Sequence, residues 1–379
     1  MDYVRTVFIA GNVESLIEEP ARLPSWTTAV AKEILEQKPV MAAIHLQGLQ
    51  TKDQGNAILQ QLIKELDNQP DIEQFDFSRE FHELENLGLC SFYYFKRETE
   101  PALYDFNKKE YSSIDGHRSE DVARSNHHAQ HGRLNQGQNA PAAFMLTKWR
   151  LFGKPFTFVN LNLSSENSPL DGVKNYPTDT VQKRRKEFES ITETVHKLSE
   201  DGMAIFGGNF NCQIDKEKMT QDYLYHNHAA SQEDNDGRGH LSKVEGVDIN
   251  GRRLYAIDDS SFDFFDLHDW VFGTCKGRLI RKYDTELETL KESLCEANIY
   301  FPPTGPYGFD TEKDNDHFLR KSAPAWKERI LSNKKLWDMM HKDSFSSSSV
   351  YYGLVGVKDN IGENKPVSLI ATLCLKDAH

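Results

Sequence analysis

The sequence predicts an α/β fold, because runs typical of β-strands alternate along the chain with stretches of helical periodicity. The chain has 379 residues, of which 38% are hydrophobic, and this is enough to bury a large core. No linker-like segment divides it, so we expect one domain spanning residues 1–379. Seven strand-like runs, rich in β-branched and aromatic residues, lie at 4–10, 40–46, 88–95, 142–146, 156–163, 203–206 and 368–375.

Helices are predicted where apolar residues recur at a spacing of three or four, as they do over 58–66 and 188–198. The second of these helices begins near Val181, and either Thr178 or Asp179 fits its N-cap. Each apolar face can pack against a neighbouring sheet, as a layered α/β fold requires.

Two further segments allow a prediction. A helix is expected over 286–298, because Thr285-x-x-Glu288 has the pattern of a capping box ahead of an apolar run. The stretch 107–141 is polar and rich in histidine, which favours a flexible insertion in the domain. A histidine-rich metal-binding tract is the other interpretation of that stretch.

Composition excludes several classes of protein. The net charge of −13 disfavours general attraction to nucleic acid or to an anionic membrane. The chain shows no 18-residue apolar run, no signal sequence and no C-terminal prenylation motif, so we expect a cytoplasmic protein without a stable membrane anchor. Five widely spaced cysteines favour reduced thiols over disulfides or a zinc site: Cys90, Cys212, Cys275, Cys295 and Cys374.

Polar motifs follow several of the apolar runs. They are 10–12 (Ala-Gly-Asn), 45–48 (His-Leu-Gln-Gly), 206–211 (Phe-Gly-Gly-Asn-Phe-Asn), 324–331 (Pro-Ala-Trp-Lys-Glu-Arg-Ile-Leu) and 362–366 (Gly-Glu-Asn-Lys-Pro). Together these motifs resemble the inositol polyphosphate 5-phosphatases, specifically the type I enzymes that act on soluble inositol trisphosphate. The resemblance implies the four-layered α/β sandwich of the endonuclease/exonuclease/phosphatase superfamily, two β-sheets flanked by helices, with the site between the sheets at one end.

The chemistry implied by the resemblance is hydrolysis of a phosphomonoester with one Mg²⁺. It needs carboxylates for the ion, an activated water and donors to the phosphoryl oxygens. Where the family has a glutamate that binds magnesium, this chain has Gly48, and where it has a histidine donor, this chain has Asn162. The family's water-activating aspartate corresponds to Asn209, and the asparagine of the same motif is Asn211.

The family's adjacent Asp-His pair is also changed, to Glu363 and Asn364, whereas Asn12 is retained. A turn-capping amide equally explains Asn12. An amide cannot accept a proton at neutral pH, and a general base is typically worth about 10²–10⁴ in rate. We therefore treat one set of positions as a vestigial catalytic site with a degenerate metal position at Gly48: Asn12, Asn162, Asn209, Asn211, Glu363 and Asn364.

Binding of an inositol phosphate can outlast catalysis, because it needs cations and no base. The basic residues expected to contact it are Lys183, Arg184, Arg185, Arg320, Lys321, Lys327, Arg329 and Lys365. The run 183–186 lies in the first turns of a helix, where cations oppose the macrodipole unless an anion is bound. A solvated helix face also explains that run, and a scaffold ion pair also explains Arg329.

Three functions compete. The leading hypothesis is a catalytically dead or strongly impaired 5-phosphatase homologue that needs no cofactor and binds an inositol phosphate or a protein partner. The alternative is an active Mg²⁺-dependent hydrolase of the 5-phosphate of inositol 1,4,5-trisphosphate or a phosphoinositide, with Glu363 and Glu328 regrouped around the metal. A DNase-like nuclease of the same superfamily is the third, and the acidic charge and missing base count against nucleic acid as a partner.

Overall fold

The computed structural model describes residues 3–50, 52–69, 74–115, 127–134, 142–199, 202–290, 294–310, 315–340, 350–356, 359 and 361–375. Its helices are α1 (Glu14–Glu18), α2 (Leu23–Glu36), α3 (Lys52–Asp67), α4 (Asp179–Ser199), α5 (Lys216–His226), α6 (His268–Gly277) and α7 (Lys334–Met340). Short 3-10 helices lie at Pro20–Arg22, Arg97–Thr99, Phe265–Leu267, Arg281–Tyr283 and Glu286–Leu290.

The first ten strands are β1 (Tyr3–Asn12), β2 (Met41–Gln47), β3 (Phe77–Glu83), β4 (Leu89–Phe95), β5 (Ala102–Asp105), β6 (Glu110–Ser113), β7 (Ala129–Arg133), β8 (Ala143–Leu151), β9 (Lys154–Asn162) and β10 (Met203–Asn209). The others are β11 (Ala229–Asn235), β12 (Leu241–Asp248), β13 (Arg253–Asp258), β14 (Phe262–Asp263), β15 (Leu294–Glu296), β16 (Tyr307–Asp310), β17 (Asn315–Phe318), β18 (Glu328–Asn333), β19 (Val350–Leu354) and β20 (Val367–Cys374).

Two large β-sheets dominate the architecture. One has six strands in the order β19-β20-β1-β2-β4-β3, and the other follows the path β15-β18-β10-β9-β8-β5-β6, with β7 added against β8. Each sheet has a parallel pair near its middle, β1 with β2 and β9 with β10. The strands that flank these pairs, β20, β4, β18 and β8, run antiparallel to them.

The large sheets pack face to face, because alternate residues of their strands enter different apolar clusters. On β1, Phe8 and Ala10 belong to the cluster between the sheets, and the Phe8 ring lies 6.3 Å from that of Phe158 on β9. Val7, on the opposite face of β1, packs in a second cluster with Trp26 of α2. One face of the first sheet is therefore covered by helices and the other by the second sheet.

The second sheet is covered on its outer face in the same way. Leu161 of β9 and Phe206 of β10 share an apolar cluster with Phe188 of α4. Helix, sheet, sheet and helix therefore form four layers. The α/β sandwich predicted from the sequence is confirmed.

All seven predicted strand runs are strands of the two large sheets: β1, β2, β4, β8, β9, β10 and β20. The helices predicted over 58–66 and 188–198 are α3 and α4. Thr178 caps α4, since its hydroxyl accepts a hydrogen bond from the backbone N–H of Val181 at 3.1 Å.

The helix predicted over 286–298 is wrong. Of the residues described in this segment, Glu286–Leu290 form a short 3-10 turn and Leu294–Glu296 pair antiparallel with β18 as strand β15. Pairing satisfies the backbone donors and acceptors of both strands. Leu294 nevertheless reaches the apolar cluster beneath α4. Sheet pairing therefore overrides the local capping pattern.

The stretch 107–141 contributes β6 and β7 to the second sheet. Residues 116–126 and 135–141 lie outside the described residues, so the flexible insertion stays a prediction. Where this stretch is described, the imidazole Nδ1 of His128 lies 3.1 Å from the carbonyl oxygen of Tyr104.

All five cysteine thiols are free, in agreement with the prediction, and Cys90, Cys212 and Cys374 are buried. Burial raises the pKa of Cys212 well above its usual value, which keeps this thiol protonated. Within the described ranges, every helix is too short or too polar to cross a bilayer.

A polar network crosses the core between the two large sheets. His45 on β2 contacts the carbonyl oxygen of Gly207 on β10 through Nδ1 at 3.2 Å, and its Nε2 lies 3.4 Å from the hydroxyl of Tyr93. Thr147 donates to that hydroxyl at 2.9 Å, and Trp149 Nε1 donates to Thr147 at 3.1 Å. Complete burial lowers the pKa of His45 to about 4, so a neutral imidazole joins the two sheets at pH 7.

Candidate functional site

The ends of the parallel strands bring the predicted site residues to one edge of the sandwich. Asn12 is in register with Gln47 at the ends of β1 and β2, and Asn162 is in register with Asn209 at the ends of β9 and β10. Glu328, the first residue of the antiparallel strand β18, lies opposite Asn209. Motifs that are far apart in the sequence therefore meet here.

The position that corresponds to the family's metal-binding glutamate is closed in this chain. Gly48 has a φ of +87°, which favours glycine, and a Cβ there would lie 2.5 Å from Asn12 Oδ1 and 2.8 Å from Glu14 Cβ. The Asn12 amide is itself fixed, because its Oδ1 accepts a hydrogen bond from the backbone N–H of Glu14 at 2.8 Å. No side chain fits at position 48 unless the 12–14 turn moves.

Three buried asparagines occupy the ends of β9 and β10. Asn209 Oδ1 accepts a hydrogen bond from the backbone N–H of Asn211 at 3.1 Å. The Asn211 side chain donates to the carbonyl oxygen of Leu163 at 2.6 Å and lies 3.5 Å from Asn162 Oδ1. Because none of these amides takes up a proton at neutral pH, the cluster contains no general base.

Glu328 is fully buried beside these amides. Neither of its carboxyl oxygens has a hydrogen-bond partner in the part of the chain that the structure describes. Burial raises the pKa of Glu328, while the nearby Thr304 hydroxyl and the charge of Lys327 oppose part of the rise. Buried carboxyls are normally paired, so Glu328 marks a point that a ligand, a water molecule or a cation would satisfy.

Lys327, one residue earlier, brings a cation to the same edge. Burial lowers the pKa of its ammonium, and the charges of Glu328, Glu363 and Glu166 oppose part of that effect. These three carboxylates come from β18, from the loop before β20 and from the loop after β9. The ammonium of Lys327 therefore interacts electrostatically with carboxylates from three separate segments of the chain.

The loop before β20 carries Glu363 and Asn364. Glu363 forms an ion pair with Lys321 at 2.6 Å, and its backbone N–H donates to the hydroxyl of Ser15 at 3.1 Å. Burial, followed by the charge of Glu363, raises the pKa of Glu14. Two carboxylates that repel each other thus lie near the 12–14 turn, and Lys321 offsets part of that repulsion.

Arg184, predicted as a ligand contact, is buried in an ion pair. Its guanidinium makes hydrogen bonds of 2.6 and 2.8 Å to the two carboxylate oxygens of Glu286 and one of 3.0 Å to the carbonyl oxygen of Ser164. Only 1% of the Arg184 side chain is exposed. We therefore reassign Arg184 to the scaffold, because its donors are already satisfied inside the protein.

Arg329 and Lys365 are reassigned for the same reason. Arg329 is enclosed between the carboxylates of Asp284 and Glu296, and its Nε donates to a backbone carbonyl. Lys365 forms a 2.9 Å ion pair with Asp316 and donates to two backbone carbonyls. Both side chains are buried, so neither offers a free donor to a phosphate.

Three more predicted contacts lie away from the strand ends. Lys183 and Arg185 are on α4, and the Lys183 ammonium lies 4.0 Å from Glu187. Arg320 is bound to Asp263 at 3.2 Å and to a backbone carbonyl. The cavity at the strand ends is not lined by any of these three cations, which leaves Lys321 and Lys327 among the predicted contacts.

That cavity has a volume of about 140 Å³ and is polar. Its charged and amide lining residues are three lysines, three amides and one carboxylate: Lys216, Lys321, Lys327, Asn167, Asn211, Gln213 and Glu166. Lys216 pairs with Glu166 at 2.7 Å, and Lys321 pairs with Glu363 as above. Lysine and amide side chains therefore line a space that suits a small anionic group.

These residues do not fit a magnesium site. Mg²⁺ requires a nearly octahedral set of oxygen ligands, yet no three His, Cys, Asp or Glu side chains in the described ranges lie close enough together to hold a metal. Asn12 Oδ1 and Asn209 Oδ1 already accept backbone hydrogen bonds, and Glu363 is engaged by Lys321. We therefore assign no catalytic step to a metal.

Four residues of the site escaped the sequence analysis. Glu14 stands two residues after the Asn12 motif, so its proximity to the edge was readable from the strand end. Lys216 and Glu166 lie in or near the segments that follow β10 and β9, and only the fold shows that they pair. Thr304, whose hydroxyl accepts a hydrogen bond from the backbone N–H of Lys327 at 2.9 Å, has no sequence signal at all.

Two relatives match the chain over nearly its whole length. Inositol polyphosphate-5-phosphatase A of Homo sapiens is 22% identical over 381 residues, which cover 96% of this chain and 92% of the relative. A Caenorhabditis elegans protein named "Probable type I inositol 1,4,5-trisphosphate 5-phosphatase" is 24% identical over 433 residues, with 97% and 99% covered. No protein-family model matches the chain.

A solved structure supports the fold. The inositol polyphosphate 5-phosphatase domain of spSynaptojanin, determined with inositol (1,4)-bisphosphate and a calcium ion, aligns with a TM-score of 0.51 at 10% identity. The alignment covers 98% of this chain and 85% of that domain. The comparisons thus agree with the resemblance inferred from the motifs.

Proposed function

Because the chain is a homologue of the inositol polyphosphate 5-phosphatases over almost its full length, we propose that it binds an inositol phosphate and hydrolyses it weakly or not at all. The relatives bear the names of hydrolases, and the fold is theirs. The difference lies at the strand ends. There the chain has Asn162 and Asn209 at the positions of the family's histidine donor and water-activating aspartate, and Gly48 at the position of its metal-binding glutamate.

The amide cluster of Asn162, Asn209 and Asn211 carries this proposal. A general base is typically worth about 10²–10⁴ in rate and an electrostatic donor about 10²–10³. Such losses are not additive, but they fall here on one site together with a closed metal position at Gly48. Phosphoester hydrolysis therefore has no proton acceptor among these groups, whereas binding needs none.

The ligand class follows from the cavity. Ammonium groups of Lys321 and Lys327 and the amide of Asn211 line a space of about 140 Å³, large enough for a phosphate group and too small for a whole inositol polyphosphate. We expect one phosphate to enter while the ring stays at the rim. Charge-assisted hydrogen bonds of this kind are each worth about 1.5–3 kcal/mol when partly buried.

Calorimetric titration with inositol 1,4,5-trisphosphate at low salt tests this proposal. Lys321 is 56% exposed, so Lys321→Gln should weaken binding several-fold and flatten its salt dependence. Lys186→Gln, on an exposed position of α4, is the matched control and should leave the affinity unchanged. If no binding occurs at millimolar ligand, or if both variants lose affinity equally, the cavity is not the binding site and a protein-binding surface must carry the function.

An active hydrolase is the second candidate, and Glu328 favours it. Its carboxyl is buried, unpartnered among the described residues and close in the fold to Glu363. A shift of the Lys321 side chain would free the Glu363 carboxyl to bind a cation together with Glu328. Phosphate release in the presence of Mg²⁺ separates the two candidates.

A further inference from the structure

We propose that Lys327 supplies, from within the chain, the positive charge that a divalent cation would otherwise bring to this edge, so that the pocket is built to bind phosphate without metal. The claim that the pocket binds phosphate without metal rests on the proposed function. Whether the Lys327 ammonium takes the place of a divalent cation can be tested without any phosphate ligand.

The backbone of Lys327 is fixed from both sides. Its N–H donates to the hydroxyl of Thr304 at 2.9 Å, and its carbonyl oxygen accepts a hydrogen bond from Phe210 N at 2.8 Å. Phe210 immediately follows β10, and Lys327 immediately precedes β18, so these bonds hold the side chain at the edge where the strands end. Lys327 is therefore placed by two elements, and its location does not depend on solvent contacts.

Two of the three carboxylates whose charges act on Lys327 are already paired with other lysines. Glu166 already pairs with Lys216, and Glu363 already pairs with Lys321. Neither carboxyl oxygen of Glu328 makes an ion pair or a well-formed hydrogen bond among the described residues. The Thr304 hydroxyl and the charge of Lys327 are the groups that oppose the effect of burial on this carboxyl. No hydrogen bond from the Lys327 ammonium to a described residue is present either, so that its donors remain available.

A divalent ion has no equivalent place. The carboxylate position nearest Asn12 is lost to Gly48, where a Cβ would meet Asn12 Oδ1 at 2.5 Å. The charges of Glu328 and Glu363 both act on the ammonium of Lys327. A cation bound by these two carboxylates would therefore be repelled by that ammonium, because like charges repel more strongly inside a protein than in water. Removal of the ammonium should therefore open a cation site that the natural chain excludes.

Whether the Lys327 ammonium replaces a divalent cation is tested by Mn²⁺ binding to the full-length protein, measured by electron paramagnetic resonance. The natural chain and Lys327→Arg, which keeps the charge, should bind no Mn²⁺ at this edge below about 1 mM, a weak affinity for a protein cation site. Lys327→Met should bind it at least tenfold more tightly, and Lys327→Met combined with Glu328→Gln should lose the gain. Lys186→Met, which removes one charge from α4, should resemble the natural chain.

Two results would overturn the inference. One is that the natural chain binds Mn²⁺ as tightly as Lys327→Met and loses it on Glu328→Gln. The other is that a folded Lys327→Met gains no Mn²⁺ affinity. If Lys327→Met does not fold, Mn²⁺ binding by the natural chain below about 1 mM that is lost in Glu328→Gln still overturns the inference.

Phosphate binding without metal is tested separately, by the affinity for inositol 1,4,5-trisphosphate with and without Mg²⁺. Inositol 1,4,5-trisphosphate should bind with the same affinity in millimolar Mg²⁺ and in excess chelator, and Lys327→Met should bind it at least tenfold more weakly in chelator. A requirement for Mg²⁺ would contradict the inference. If Lys327→Met gains Mn²⁺ affinity while the natural chain binds no inositol phosphate, Lys327 does replace a divalent cation but the proposed function is wrong.

Discussion

The buried ion pairs of the scaffold and the polar residues at the strand ends differ in how completely they are satisfied. Arg184 is held by both oxygens of Glu286, and Arg329 is held between two carboxylates. At the strand ends, by contrast, Glu328 is buried with neither carboxyl oxygen bonded among the described residues.

The contrast indicates what each region does. In the scaffold, opposite charges cancel and no donor is left over, so these pairs fix the loops around the site. At the strand ends, amides replace the groups that would move protons, while Lys321 and Lys327 remain beside a cavity. The scaffold pairs are thus satisfied within the protein, whereas the strand ends include a buried carboxyl that a ligand, a water molecule or a cation would satisfy.

Removal of one scaffold cation should have the largest effect on stability. Arg329→Met leaves Asp284 and Glu296 buried without their partner, and such a change typically costs about 3–5 kcal/mol. Urea denaturation measures the loss. Arg320→Met, at a half-exposed ion pair, is the control and should cost less than about 1 kcal/mol. Similar losses for both variants would mean that the buried pair does not hold the scaffold.

Gly48→Ala should come next, at about 2–4 kcal/mol, because a left-handed backbone and a steric clash coincide there. Gly153→Ala is the matched control, since Gly153 has a φ of +72° and open space around its Cβ. It should cost only about 1–2 kcal/mol of backbone strain. Equal free energies of unfolding for the two variants would show that position 48 is open, contrary to the structure.

The pH dependence of stability should show a smaller effect, from His45. Burial lowers its pKa to about 4 in the folded protein, whereas an unfolded histidine titrates near ~6.5. The unfolded state therefore takes up the proton first, and stability falls as the pH drops from about 6.5 towards about 4. The loss between pH 7 and pH 5 is on the order of 2 kcal/mol.

His45→Gln isolates this contribution, because an amide can still bond to Gly207 and does not titrate. Carboxyls with raised pKa values, such as Glu328, act in the opposite direction in both proteins and cancel in the comparison. The natural chain should therefore lose more stability than His45→Gln between pH 7 and pH 5. Parallel curves would show that His45 is not buried neutral.

The smallest stability effect is expected for Lys321→Gln. Its ion pair with Glu363 is partly exposed, and such pairs contribute about 0–1 kcal/mol. The same variant should weaken inositol phosphate binding, so stability and affinity separate at this residue. A loss of stability as large as that of Arg329→Met would place Lys321 in the scaffold instead.

The α/β class was predictable because strand-like runs alternate with stretches of helical periodicity along the chain. The four-layered sandwich followed from the resemblance of the motifs to the 5-phosphatases. The strand-end positions were predictable in the same way, since the motifs follow those runs directly. The segment 286–298 was not, because its local capping pattern competes with pairing to β18, which the sequence does not display.

The ion-pair partners of the basic residues could not be predicted from the sequence either. Arg184 and Lys365 have the residue type of a phosphate contact, and only the fold brings Glu286 and Asp316 against them. The meaning of a charged side chain depends on which opposite charge is nearest, and long-range contacts decide that. Lys327 is the opposite case, because it lines a cavity and forms no ion pair with a described carboxylate.

Phosphate release from inositol 1,4,5-trisphosphate at millimolar Mg²⁺ tests the central claim most directly. With amides at Asn162, Asn209 and Asn211 and no side chain at Gly48, the purified chain should release little or no phosphate above a blank. Enzymes typically turn over at roughly 10 s⁻¹. Turnover within about tenfold of that value would contradict the account and establish the chain as an active hydrolase.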